Sequence, residues 1–223
     1  ASVQRSLAGF SKPDGVDLKI TGEQEDQKET ADFLSIAMLL SLFGIVFILI
    51  TQFNSISKAI IIVSEVIFSV IGVLLGFIFT GMPISIIMTG MGIVALAGIV
   101  VRNGILLVEF TDVQLENGLR PREAIIQAGK ARITPVILTA AATILGLIPL
   151  AFGLNIDFAG LFTSFEPHLH LGGDNVAFFG PLSWTIIFGL TIATFLTLIM
   201  IPAMYQMIYT MKIWVNRTIY KFK

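Results

Sequence analysis

The residues Ile84–Phe110 read ISIIMTGMGIVALAGIVVRNGILLVEF, and they decide the fold class of this chain. No charged side chain occurs before Arg102, and only Glu109 follows it within the run. A bilayer-crossing helix needs roughly 20 apolar residues, so this segment predicts a membrane span. Arg102 would lie about eight residues, about 12 Å, from one helix end and thus near the midplane of a core about 30 Å thick. The fold must therefore give Arg102 a protein or water environment.

The remainder of the chain has the same apolar character. Hydrophobic residues make up 55% of the 223 residues and charged residues 13%, with a mean hydropathy of +0.89. A soluble domain is about one-quarter charged. Four more stretches are long enough to cross a membrane: Phe33–Gln52, Ala59–Thr80, Ile133–Phe152 and Phe178–Met211. Strands of a barrel would be shorter and would alternate, so the sequence predicts an all-α membrane protein with a bundle of five transmembrane helices.

Composition also excludes several classes of function. The net charge of −1 gives no basic surface for nucleic acid. The absence of cysteine excludes disulfides, thiolate metal sites and cysteine nucleophiles. No nucleophile elbow, phosphate-binding loop or zincin motif is present. We therefore predict a protein that is not an enzyme and that needs no cofactor.

The basic residues predict the orientation in the membrane, because cytoplasmic loops are enriched in Lys and Arg. The connection Asp112–Arg132 and the tail from Lys212 each carry four basic residues, and Lys58 follows the first span. The turn Gly81–Pro83 and the loop Gly153–Ala177 carry none. We therefore expect the basic segments and the C-terminus in the cytoplasm and the N-terminal end outside.

The predicted spans divide the chain into three parts. Residues 1–32 are polar and acidic and are expected to end an external domain and lead into the first span, with a short strand at Gly15–Ile20. Residues 33–211 form the membrane domain, and 212–223 a basic cytoplasmic tail. An external start without an initiator Met or a secretory signal favours a chain that is the C-terminal portion of a larger membrane protein.

The connection between the third and fourth spans has its own pattern. The segment Gly118–Arg132 alternates apolar and basic faces at helical spacing, and Pro121 suits a first turn. We expect a short amphipathic helix along the cytoplasmic interface. Pro135 is then expected in the first turn of the fourth span.

Charged and polar residues within the spans are the candidate functional residues. Arg102 fits either a charge pair between helices or an ion or proton relay. Because Arg stays protonated, its role in a relay would be to hold or release a carboxylate. Glu109 shares a face with Arg102, and Glu65 is the other deeply placed acid. Asn103 and Thr139 can hydrogen-bond between helices, and Thr139 lies on the same helical face as Arg132.

Two further patterns are consistent with either a structural or a functional role. Gly72 and Gly76 have the spacing of small residues that let helices pack closely. His168 and His170 lie near Glu166 and Asp174, so these residues are weak candidates for zinc or copper ligands. Pro and Gly neighbours describe an ordinary external loop equally well.

Three motifs in order resemble the C-terminal membrane half of resistance-nodulation-division (RND) efflux pumps, in the hydrophobe/amphiphile exporter branch. They are GIVVRNGILLVEF from Gly98, GLRPREAIIQAGKARITPVILTAAATILGLIPLAFG from Gly118, and GPLSWTIIFGLTIATFLTLIMIPAMY from Gly180. The resemblance covers nearly the whole chain. It implies that the five spans are helices eight to twelve of such a pump.

The resemblance also implies roles for individual residues. A basic residue of the family's tenth helix contacts two proton-carrying aspartates on the fourth helix, and Arg102 takes its position. Arg132 and Thr139 match an Arg and a Thr of the eleventh helix. Glu65 stands where many relatives have Pro or an apolar residue, so no role is implied for it. Together with the candidates from residue chemistry, the sequence-predicted relay comprises Arg102, Thr139, Arg132, Asn103, Glu109 and Glu65.

The partners implied by the resemblance are membrane lipid, the N-terminal half of the same pump, two further copies in a homotrimer, a periplasmic adaptor and an outer-membrane channel. The location implied is the inner membrane of a Gram-negative bacterium. Two alternatives remain. One is a self-contained structural or assembly protein, in which Arg102 would find a partner within the chain or its copies, with Glu65 as the candidate; the other is the metal-exporting branch of the same superfamily.

Overall fold

Five long helices form the bundle in the computed structural model, which describes residues 23–156 and 169–221. They are α1 (Glu23–Phe53), α2 (Ile56–Thr80), α3 (Ile86–Glu116), α4 (Pro121–Phe152) and α5 (Asp174–Lys221). Each contains a stretch long and apolar enough to cross a membrane. This confirms the prediction of an all-α, five-span bundle. The strand predicted at Gly15–Ile20 lies outside the described residues.

A small antiparallel ribbon joins α4 to α5. Its strands are β1 (Leu154–Ile156) and β2 (Leu169–Leu171), with Asn155 opposite His170. The sequence predicts only a loop in this region. Three-residue strands are too short to show an alternating pattern in the sequence.

The turns between helices follow from the residues that occupy them. α2 ends at Thr80 and is capped by the next residue, Gly81. The left-handed backbone of Gly81 (φ 66°) lets its N–H donate to the carbonyl of Phe77 at 2.9 Å. Asn54, between α1 and α2, also has a positive φ (45°), which Asn tolerates better than most residues. These two turns bring three consecutive helices side by side.

The predicted interfacial helix is not a separate element. Gly118–Arg132 was expected to lie along the membrane surface, but residues from Pro121 onward form the first turns of the continuous α4. Ile125 and Ala128 in this segment are buried in the bundle core, which holds the segment in line with the span. Pro121 does occupy the first turn of a helix, whereas Pro135 lies in the helix interior rather than in a first turn. Membrane helices tolerate such prolines because neighbouring groups satisfy the freed backbone.

The core lies between α2, α3 and α5, and α4 adds Ile125, Ala128 and Ala140 to it. α3 and α5 run parallel, because Gly92 lies against Thr185 and Leu96 against Gly189. α2 runs antiparallel to both, with Gly76 against Phe188. α1 covers the outside, and only 6% of its most apolar window is buried. We call the end that carries Lys58, Arg120 and Arg122 the basic end of the bundle.

Replacing Gly76 by alanine is expected to destabilise the bundle. A Cβ at Gly76 would overlap the Phe188 ring, which itself packs edge-on against Phe77 at 5.7 Å. Overpacking of this kind costs about 1–3 kcal/mol. Thermal unfolding of the detergent-purified protein should show a lower midpoint. Gly98→Ala is the matched control, because a Cβ there meets no atom within 4 Å, and an equal loss in both variants would contradict the packing argument.

Candidate functional site

Arg102 points away from the core of the bundle. Its side chain is exposed, whereas its neighbours Val101, Asn103 and Gly104 are buried. Glu109, seven residues further along α3, is exposed as well. No acid among residues 23–156 and 169–221 pairs with Arg102. The charge thus lies in the membrane-spanning part of α3 on a surface that the described residues leave uncovered.

α4 places two more predicted residues at the depths of Arg102 and Glu109. The Arg132 guanidinium lies 4.8 Å from the centre of the Phe110 ring on α3. Further from the basic end, Val100 of α3 and Ala140 of α4 belong to one buried cluster. These contacts fix an antiparallel register in which Thr139 lies at the depth of Arg102, and Arg132 at the depth of Glu109. Thr139 is exposed, and its hydroxyl donates to the carbonyl of Val136 at 3.0 Å.

We call Arg102, Glu109, Arg132 and Thr139 the charged surface. The Nε of Arg132 is buried, yet it has no hydrogen-bond acceptor in the part of the chain that the structure describes. Two guanidinium groups without acids therefore occur on neighbouring helices. Such a surface is suited to bind carboxylates from outside this chain, because guanidinium and carboxylate form strong paired hydrogen bonds.

The other two predicted relay residues lie inside the bundle. Asn103 is 4% exposed and shares a helical face with the buried Val100 and Leu107. Glu65 is 3% exposed and points at Gly104, where an added Cβ would lie 2.7 Å from its Oε2. The structure therefore does not bring Glu65 and Arg102 together, although Glu65 was the candidate partner in the interpretation as a self-contained protein.

A polar cluster at the basic end went unrecognised in the sequence. The Lys58 ammonium donates to Asp112 Oδ2 at 2.6 Å, and the Tyr205 hydroxyl donates to Asp112 Oδ1 at 2.6 Å. The three residues come from α2, α3 and α5. No spacing along the chain relates them, and the only local signal is a charged residue at the end of each of two spans.

The candidate metal site stays a prediction. His168 lies outside the described residues, and for His170 the structure gives its backbone pairing in β2. Within residues 23–156 and 169–221, no group of three or more His, Asp or Glu side chains is arranged to hold a metal ion.

The comparisons with known proteins agree on the family to which this chain is similar. The model of the AcrB/AcrD/AcrF family matches residues 2–155. The swarming motility protein SwrC of Bacillus subtilis is 33% identical over 93% of this chain. The multidrug resistance protein MdtC of Erwinia tasmaniensis is 29% identical over 92%, and the nickel-cobalt-cadmium resistance protein NccA of Alcaligenes xylosoxydans is 26% identical over 93%. The chain spans about 18% of the length of these relatives.

A solved structure shares the fold. The crystal structure of a heavy metal efflux pump superposes on 94% of this chain with a TM-score of 0.68 and 24% identity, and the match covers 19% of the pump chain. The five-helix bundle is thus similar to one portion of a much longer membrane protein.

Proposed function

This chain belongs to the AcrB/AcrD/AcrF family of RND transporters, and from that premise we propose that it forms the C-terminal membrane part of a proton-driven exporter of drugs and other amphiphiles. The five helices would be helices eight to twelve of the pump. The protein would exchange protons for substrate and would not act as an enzyme. Because the chain spans about 18% of its relatives' length, the bundle alone would be inactive.

The unpaired Arg102 is the observation that carries this proposal. Placing an Arg in the middle of a membrane helix costs about 2.5–3.5 kcal/mol on insertion scales. The described residues offer it no acid, and its side chain points out of the bundle. Acids on the remaining part of a longer protein would compensate for that cost. Those acids would carry the protons, since an Arg does not release its own.

The other relay residues take supporting roles. Arg132 would hold a carboxylate when Arg102 releases it, because it lies on the adjacent helix and its Nε lacks an acceptor among the described residues. Thr139 would offer its hydroxyl at the depth of Arg102, and Glu109 would pass protons at the basic end of the charged surface. Asn103, on the buried side of α3, would fix the orientation of Arg102. Glu65 belongs to the proposed relay as an acid that is buried inside the bundle.

The proposal includes an assembly and a location. The pump would be a homotrimer in the inner membrane of a Gram-negative bacterium, with its N-terminal half on the charged surface. A periplasmic adaptor and an outer-membrane channel would complete the export route. The basic end would face the cytoplasm, in line with the positive-inside rule.

A substrate panel tests the proposed function. The whole transporter that contains this chain would be reconstituted in vesicles with an imposed pH gradient. We expect efflux of amphiphilic dyes that stops when the gradient is collapsed. The similarity to NccA supports metal export as a second candidate, and gradient-driven movement of cobalt or cadmium without dye efflux would replace the first candidate by the second.

The orientation can be tested with single cysteines, because the chain has none of its own. Asn117→Cys lies exposed between α3 and α4 at the basic end, and Ile84→Cys lies at the opposite end and is 53% exposed. In intact cells whose outer membrane has been made permeable, an impermeant maleimide should label the cysteine at 84 and spare the one at 117. The reverse pattern would invert the proposed topology.

A further inference from the structure

Glu65 is the ionisable group in the core of the bundle that the charged surface leaves unexplained. It lies in the middle of α2 and is 3% exposed. The Thr197 hydroxyl of α5 is its polar neighbour, yet among residues 23–156 and 169–221 neither carboxyl oxygen has a partner that meets hydrogen-bond geometry. An isolated carboxylate is far more costly to bury than the neutral acid. A charged Glu65 would therefore disrupt the packing at this point.

Other charged groups do not compensate for Glu65. On α3, Arg102 and Glu109 are exposed on another side, and Gly104 is what faces the carboxyl. Among the described residues, the remaining titratable groups near this interface all lie at the basic end. They are Lys58 on α2, Asp112 on α3, and Tyr205 and Tyr209 on α5. Asp112 is about 12 Å along α3 from Gly104. α1 has no titratable side chain between Phe33 and Phe53.

A small cavity lies at the basic end, one helical turn along α2 from Glu65. A cavity with about 50 Å³ open to water-sized molecules is lined by Ser57, Lys58, Ile61, Tyr205, Ile208 and Tyr209. That volume holds at least one water. Ile61 lies one turn, about 6 Å, before Glu65 on α2. The intervening Ser64 hydroxyl donates to the Ile61 carbonyl at 2.6 Å and lies 3.3 Å from the sulfur of Met204.

We propose that Glu65 is a second proton-binding site of the membrane domain, separate from the charged surface and loaded from the cavity at the basic end. A hydronium ion in the cavity gives up its proton, and an O–H bond forms on the carboxyl of Glu65. Binding makes the side chain neutral and permits α2 to pack against Gly104 and Thr197. Loss of the proton places a charge in that interface and loosens it.

This site is independent of whether Arg102 couples transport. Infrared spectra of the whole transporter in vesicles, recorded over a range of pH, would follow the C=O band of a protonated carboxylic acid. We expect one such band to lose intensity reversibly as the pH rises, and to be missing in Glu65→Gln. An unchanged band in Glu65→Gln, or a Glu65 band that does not respond to pH, would overturn the proposal.

A second pair of variants protects the test against misfolding of Glu65→Gln. Thr197→Val removes the neighbouring hydroxyl and should shift the frequency of the Glu65 band. Thr194→Val is the matched control, since its hydroxyl is buried one turn away and bonds the Leu190 carbonyl at 2.6 Å. Equal shifts in both variants, or none in either, would contradict the site. Arg102→Ala should leave the band in place, so failure of the relay and failure of this site give different results.

Discussion

Arg102→Ala is expected to reduce proton-coupled transport by about 100-fold or more, because the proposed acids opposite it would no longer act as positioned proton-transfer groups, which accelerate reactions by about that factor or more. Without the guanidinium, those acids would lose the positive charge that holds them ionised. They would then keep their protons throughout the transport cycle. The measurement is substrate efflux and proton uptake in vesicles containing the whole transporter.

Arg102→Lys separates the charge from the geometry. Lysine keeps the positive charge but offers a single point contact in place of the planar fork of Arg. We therefore expect transport to be retained with a reduced rate and a changed pH dependence. Arg122→Ala is the matched control, because Arg122 is exposed in the first turn of α4 and lies outside the charged surface. If Arg102→Ala transports normally, or simply fails to assemble, Arg102 is a packing charge and the proposed mechanism is wrong.

The spans were predictable because bilayer thickness fixes the length of an apolar run. Ala59–Thr80 was expected, and α2 begins only three residues earlier and ends at the same residue. The join between Gly118–Arg132 and the fourth span was not predictable in this way. The local pattern there shows an amphipathic segment, and only the burial of Ile125 and Ala128 against the bundle decides that it continues into α4.

The candidate site shows the same limit. Periodicity placed Arg102 and Glu109 on one face of a helix, and both are exposed. Periodicity did not predict that Asn103, the next residue after Arg102, is buried while Arg102 and Glu109 are exposed. Which face of α3 contacts another helix depends on how the helices pack. Glu65 could be recognised as deeply placed, but its contact with Gly104 depends on the antiparallel register of α2 and α3. Registers between distant segments leave no signal in a single sequence.

The cluster of Lys58, Asp112 and Tyr205 gives the second large effect. Asp112→Ala would remove the acceptor of two 2.6 Å contacts and leave an ammonium and a hydroxyl without it. Hydrogen bonds to a charged group contribute about 1.5–3 kcal/mol each. Lys58 and Asp112 keep 26% and 21% of their side-chain surface exposed, so solvent reduces the loss. We expect about 2–3 kcal/mol, measured as the free energy of unfolding in a denaturant titration of the purified protein.

A double-mutant cycle then isolates the contact from other effects of the substitution. In a protein that already carries Lys58→Met, Asp112→Ala no longer leaves an ammonium without its acceptor. The loss of unfolding free energy caused by Asp112→Ala should therefore be smaller by about 1 kcal/mol or more. Glu116→Ala is the matched control, because Glu116 is an exposed acid near the end of the same helix and should change stability by less than about 0.5 kcal/mol. Additive losses at Lys58 and Asp112 would mean that the pair does not couple. In that case Lys58 would not tie α2 to Asp112 on α3, and the hydrogen bond from Tyr205 on α5 would be the contact left at Asp112.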